Sequence, residues 1–381
     1  MRHYFDHAAT TPMRDAALTA WETNARRLGN PSAIHGAGRE ARSVVEEARE
    51  TVADAWSIPP STIIWTSGGT ESDNLGIIGV ARARRRKNPA ATQVMVSPIE
   101  HHGVLDAAAS LTSEGFTVIQ MPLTEAGIVN YPATADLMRV HADTLAVVAL
   151  MAVNNETGII QPADRLAEVA HTELGVPFHC DAVQAHGLGP ALSLQTCTAA
   201  FSAHKIGGPL GAGALVIPPD TPIEAISFGA GQESRLRSGT VPVPLVASFA
   251  EAVRETTVTE SVENQRIDGL AARLESILTS VGAQIIGQNL ARVGAIRYAL
   301  FPGCSGQDLV VLLDARGIHV STGSACTAGV PQPSHVLLAM GHSQDEANSG
   351  LRFSMGWTTT HDDLDALQAA LPEVVAIARR R

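Results

Sequence analysis

The sequence predicts an α/β chain built on a mostly parallel sheet, accompanied by a smaller α+β region. Three observations carry this. Short apolar, β-rich runs alternate with longer stretches of helical spacing through the first two thirds of the chain. Glycine-rich or polar turns follow several of those runs directly, where parallel sheets place their ligands. After Pro244 the texture changes to a long helical stretch followed by further strand-like segments.

Residues 63–65 read as a strand leading through a Ser/Gly turn into a helix from Thr70. Strands are expected at 93–96, 116–120 and 144–153, with helices at 104–114 and 164–174 between them. Further strands are expected at 177–180, 199–202 and 213–217. The basic run 82–87 closes a helix before Asn88-Pro89, where cations complement the helix dipole. Beyond Pro244, the pattern predicts a helix over 251–280, a strand over 293–300, a helix over 306–315 and a strand over 350–354. At roughly 150 residues per domain, 381 residues suggest two domains. The second is expected to start near residue 258.

Composition excludes several functions. Apolar types make up 45% of the chain and charged types 17%, which supports a large core. The net charge of −11 disfavours direct nucleic-acid binding, which needs a basic face. No membrane span is expected, because no apolar run reaches about 18 residues. The start of the chain lacks the pattern of a secretory signal. Four cysteines in so long a chain do not make a disulfide framework, and a reducing cytoplasmic setting is expected. The 14 histidines raise the question of a metal. No Cys-x-x-Cys pair occurs, however, and no metal site is expected.

Four stations carry chemistry. Ser67-Gly68-Gly69-Thr70-Glu71-Ser72-Asp73-Asn74 sits where a strand passes into a helix. Its free N–H groups and glycines suit an anion such as a phosphate, and Thr70 with Asp73 resembles a capping box. At Phe201-Ser202-Ala203-His204-Lys205, a lysine ends a buried strand. Only two of the 27 basic residues are lysines, and Lys87 lies among arginines at a helix end. Amine chemistry, a Schiff base above all, therefore falls to Lys205. His179-Cys180-Asp181-Ala182-Val183-Gln184 places a carboxylate at another strand end, where it can serve a protonated pyridine nitrogen or simply cap a helix. Finally, Ser321-Thr322-Gly323-Ser324-Ala325-Cys326-Thr327-Ala328-Gly329 sets one cysteine among small residues, a setting that suits a nucleophilic thiol. Cys180, Cys197 and Cys304 are expected to be small core or loop residues.

Together these stations resemble the cysteine desulfurases, a pyridoxal-phosphate family in the class V aminotransferase group of fold type I. The likeness runs from Tyr4 to about Leu367. It includes Phe5-Asp6-His7-Ala8-Ala9-Thr10-Thr11-Pro12, Gly29-Asn30-Pro31-Ser32, Glu100-His101-His102 and Asn154-Asn155-Glu156-Thr157-Gly158. Gly231-Gln232-Glu233, Arg237-Ser238-Gly239-Thr240, Pro333-Ser334-His335-Val336-Leu337 and Leu351-Arg352-Phe353-Ser354 complete it.

The resemblance implies a large domain of residues 13–258 with a seven-stranded, mostly parallel sheet. It also implies a small domain of residues 1–12 and 259–381 that carries the catalytic cysteine. Lys205 would hold pyridoxal 5′-phosphate, Asp181 its pyridinium proton and Gln184 its phenolate oxygen, with His101 against the ring. Gly69, Thr70, Ser202 and His204 would bind the phosphate, with Thr240 reaching in from the second subunit of a homodimer. Asn155 would serve both cofactor and substrate, and Arg352 would hold the substrate carboxylate. Cys326 would take the sulfur of L-cysteine as a persulfide and release L-alanine. The flanking residues resemble the subgroup that passes sulfur to an acceptor protein, a scaffold for iron–sulfur cluster assembly or a thiolation enzyme. Rival activities on the same cofactor are transamination, selenocysteine lysis and β-elimination; a binding protein that kept the fold is a further alternative. Phe228, Ser234-Arg235 and Trp357 depart from the family pattern without touching an expected catalytic role.

Overall fold

The computed structural model describes residues 2–187, 192–323 and 332–380. Strand β1 (His3–Tyr4) opens the chain. The main sheet follows as β2 (Ile63–Thr66), β3 (Gln93–Val96), β4 (Thr117–Gln120), β5 (Leu145–Ala149), β6 (Phe178–Asp181), β7 (Thr198–Ser202) and β8 (Gly213–Val216). Its order in space is β2-β8-β7-β6-β5-β3-β4. Only β8 runs against its neighbours; the pairs β3–β4, β3–β5, β5–β6 and β6–β7 are all parallel.

The central strands β5, β6 and β7 are buried along their whole length. That is why β5 reads as a continuous apolar run and not as an alternating one, while β6 buries His179 and Asp181 at its site end. Beyond residue 280 lie β9 (Gln284–Ile285), β10 (Ile296–Leu300), β11 (Ile318–His319) and β12 (Gly350–Ser354). They form a sheet of order β12-β10-β9 and a parallel pair β1-β11. The first residues of the chain therefore join its last third.

The helices Asp15–Ala25 and Gly36–Trp56 pack on one long helix, Val243–Ser280. This helix starts eight residues before the expected 251. Pro244 lies in its first turn, where a missing N–H costs nothing, so the proline opens the helix instead of preceding it. Residue 258 falls within this helix. Buried Arg14 ties the N-terminal segment to it, through Glu255 (3.0 Å) and Glu263 (2.8 Å). The helices expected at 104–114 and 164–174 each appear in two parts. His102–Ser110 passes into a 3-10 turn, and Ala163–Glu168 into a π-turn.

The helix after β2 is also composite. Gly69–Asn74 continues through the π-segment Leu75–Gly79 into Val80–Lys87. A Cβ on Gly76 would stand 2.3 Å from the His179 ring, so only glycine lets this helix lie against β6. No helix among the described residues is long and apolar enough to cross a membrane.

Candidate active site

The C-terminal ends of β2, β3, β5, β6 and β7 open onto one cavity of about 390 Å³. Gly69, Thr70, His101, Asn155, Asp181, Gln184, Ser202, His204, Lys205 and Arg352 all line it. Ten of the expected site residues are thus brought together from six separate stretches of chain. Thr240 is exposed and does not line this cavity. Cys326 lies outside the described residues, which stop at Gly323 on the cavity wall.

Lys205 ends a 3-10 turn after β7. Its Nζ donates to the carbonyls of Ala8 (2.5 Å) and Ala9 (3.0 Å). Among the described residues, no carboxylate pairs with it. Burial and the nearby Arg352 guanidinium bring the amine down to about 8, so a substantial neutral fraction exists near physiological pH. Gln184 Nε2 donates to the same Ala8 carbonyl (2.9 Å).

Asp181 closes β6 and is buried. Its Oδ1 accepts the Val183 N–H (2.9 Å). Burial above all pushes the carboxyl up to about 6. A buried acid held this way gains when a cationic N–H is set against it.

His101 caps the helix His102–Ser110, its Nδ1 accepting the Gly103 N–H (3.0 Å). That bond leaves the proton of the neutral ring on Nε2. Burial lowers its basicity, and so do the nearby Lys205 and His102 charges.

The capping box expected of Thr70 and Asp73 does not form. Gly68 occupies the N-cap with no side-chain cap. Asp73 is instead buried against His179 Nε2 (3.1 Å), whose Nδ1 meets Thr198 Oγ1 (2.9 Å). Burial pushes Asp73 up to about 8 and His179 down to about 4, so the pair is held neutral beneath the cavity. Acid and imidazole groups of Asp73, His101 and Asp181 all lie within 4.8 Å of one another.

The anion-binding turn is built by close approach. A Cβ on Gly69 would stand 2.6 Å from Val183 Cγ2, and one on Gly213 only 2.5 Å from Gly68 Cα. Across from the turn, His204 Nδ1 is buried and has no partner among the described residues. Burial and Lys205 bring that ring down to about 4. An unpaired buried ring nitrogen next to free helix N–H groups provides a donor set for an anionic oxygen.

Arg352 comes from β12, opposite the main sheet. Its Nη1 donates to the Asn155 carbonyl (3.0 Å) and its Nη2 to Asp6 Oδ1 (2.8 Å), while Nε is buried without a partner among the described residues. Sequence reasoning quoted Asp6 within a motif but gave it no task; here it braces the guanidinium. His102, Glu156 and His335 were also passed over. All three line the cavity, with the His102 and His335 rings 4.9 Å apart. Each lies inside a motif quoted for the family resemblance but given no task there, and that membership is the only signal the sequence offers. Cys180, Cys197 and Cys304 are free and buried, as expected of packing residues.

The arrangement suits a carbonyl cofactor with an anionic tail: an amine without a carboxylate partner among the described residues, a buried acid, and a donor-rich turn around one cavity. The model of the aminotransferase class-V family matches residues 3–367. An IscS-like cysteine desulfurase of Mycobacterium tuberculosis is 42% identical, with 99% of this chain and 97% of the relative covered. The cysteine desulfurase IscS of Methanosarcina thermophila is 35% identical, covering 98% of this chain and 91% of the relative. The solved structure of a NifS-like protein superposes with a TM-score of 0.91 at 34% identity, covering 99% of this chain and all of that one. The chain belongs to the class-V aminotransferase family, in the group whose curated relatives are cysteine desulfurases.

Proposed function

We propose that this chain is a cysteine desulfurase, which moves sulfur from L-cysteine to Cys326 and releases L-alanine. The observation that carries the reading is the meeting of Lys205, Asp181, His101 and Arg352 on one cavity in a chain with these relatives.

Pyridoxal 5′-phosphate fits the residues present. Lys205 would hold it covalently, Asp181 would sit against the pyridine nitrogen and Gln184 against the phenolate oxygen, with His101 at the ring. Gly69, Thr70, Ser202 and His204 would take the phosphate, and Asn155 would serve the cofactor and the substrate. When bound, the group supplies an electron sink for charge developing at the substrate Cα.

The chain's own residues supply the rest. Arg352 offers to the substrate carboxylate a planar guanidinium whose Nε has no partner among the described residues. Lys205 Nζ, brought down to about 8, is basic enough to remove the Cα proton and neutral often enough to do so. Asp181 keeps the site anionic where a cationic ring nitrogen needs it. Cys326 Sγ then attacks the substrate sulfur: an S–S bond forms as the Cβ–S bond breaks. The electron pair stays with the carbon fragment, which takes up protons and becomes alanine. The sulfur remains as a persulfide for an acceptor protein, a scaffold or a thiolation enzyme.

Residues 13–258 would form the cofactor domain, with 1–12 and 259–381 as the small domain; the β1–β11 pairing supports grouping the chain's two ends. A homodimer follows from the reading of Thr240. Exposed Leu28 (87%), Ile34 (88%) and Phe228 (86%) give a second copy apolar surface to cover. A cytoplasmic setting suits a free reactive thiol.

The test compares alanine and sulfide release from L-cysteine with reductant in the wild type and Cys326→Ala. Near-loss in a variant that still binds the cofactor supports the reading. Equal activity in both contradicts it and indicates a lyase that does not use Cys326.

A further inference from the structure

A single buried carboxyl is bonded to the downstream flank of segment 324–331 and lies beside the upstream one. On the upstream flank, Gly323 has φ +83°, and a Cβ there would stand 2.8 Å from Tyr298 Cε2 and 3.4 Å from Glu156 Oε2. The Tyr298 hydroxyl donates to the Thr322 carbonyl (2.8 Å). On the downstream flank, Ser334 Oγ donates to Glu156 Oε2 (2.5 Å) and accepts the Leu337 N–H (3.2 Å). His335 Nε2 donates to the Glu100 carbonyl (2.9 Å), and its Nδ1 lies 3.9 Å from Glu156 Oε1. Glu156 and Ser334 are each 1% exposed, and Tyr298 is fully buried.

A carboxyl this deep is costly unless its bonds are made, and a polar cluster with its bonds made specifies one geometry. Asn155, next in the chain, accepts from Arg352. Residues 155–156 therefore join the guanidinium, the cavity wall and both flanks of the segment that contains Cys326. The reaction as derived above assigns Glu156, Ser334 and Tyr298 no task.

We propose that Glu156, acting through Ser334 and against Gly323, is a positioning residue that fixes the two flanks from which the Cys326 thiol is presented to the cavity. This rests on the reading of Cys326 as the sulfur acceptor.

The test uses the holoenzyme with Ser334→Ala, Glu156→Ala, the double variant and Glu156→Gln. Cofactor absorbance is expected to match the wild type throughout. Ser334→Ala and Glu156→Ala should each lower kcat by roughly tenfold, with KM for L-cysteine within about twofold. The double variant should resemble the worse single one, because the two residues share one interaction. Glu156→Gln should keep at least about a third of kcat, since its amide oxygen still accepts the Ser334 hydroxyl. Hydrogen exchange in peptides covering 316–323 and 332–340 should accelerate by roughly tenfold in Glu156→Ala. Wild-type kcat in both single variants, multiplicative losses in the double variant, or unchanged exchange in those peptides would overturn the proposal. If the wild type shows no Cys326-dependent turnover, the functional reading fails, and the exchange measurement still decides the role of Glu156.

Discussion

Replacing Asp181 by Asn should stabilise the cofactor-free protein while abolishing its chemistry. The carboxyl is pushed from 3.8 up to about 6, chiefly by burial. The folded state therefore binds its proton more tightly than the unfolded chain does. Between those two values, folding stability falls as pH rises; above the upper one, the whole cost of the buried charge is present. The cost amounts to about 3 kcal/mol at pH 7 and to roughly half of that at pH 5. Asn is nearly isosteric, its Oδ1 can still accept the Val183 N–H, and it carries no charge to bury. Urea denaturation of both cofactor-free proteins is the assay. The Asn variant should be the more stable at pH 7, and its advantage should shrink by about half at pH 5. Added cofactor should reverse the order, because only the wild type sets a carboxylate against the ring nitrogen. An Asn variant less stable than the wild type at pH 7, or an advantage independent of pH, would refute the reasoning.

Three further outcomes are expected. Gly69→Ala places a Cβ 2.6 Å from Val183 Cγ2, an overpacking cost of about 1–3 kcal/mol. Cofactor titration should show affinity weakened by roughly tenfold or more, with recovery in the Gly69→Ala, Val183→Ala double variant. Capture of an added aldehyde by the cofactor-free chain should quicken as pH rises and level off above about 8, where Lys205 is neutral. Arg352→Ala should move that profile to higher pH, because it removes a positive neighbour. Arg352→Lys should raise KM for L-cysteine by roughly tenfold while leaving cofactor absorbance unchanged, since an ammonium cannot match the guanidinium fork.

The sheet, the strand-end stations and most cavity residues were legible because their signals are local. A buried strand writes itself as an apolar run. A Gly-Gly turn before a helix marks an anion site, and a chain with two lysines leaves little choice of amine. Other features depend on partners distant in sequence. Asp73 beside Thr70 reads as a cap, yet His179, 106 residues away, claims it, because a buried carboxyl must find a partner. Asp6 meets Arg352 across 346 residues, and Ser334 meets Glu156 across 178. No spacing rule reports such contacts. The long helix was read late for a different reason: Val243, Val246, Ala247 and Ala250 are buried, so its first two turns lack the polar face that marks the remainder.

The most direct measurement is mass spectrometry of Cys326 after a single turnover with L-cysteine in the absence of reductant. The account predicts one added sulfur atom on Cys326 and an equal amount of L-alanine. Alanine with an unmodified Cys326, or the added sulfur on Cys180, Cys197 or Cys304, would contradict it.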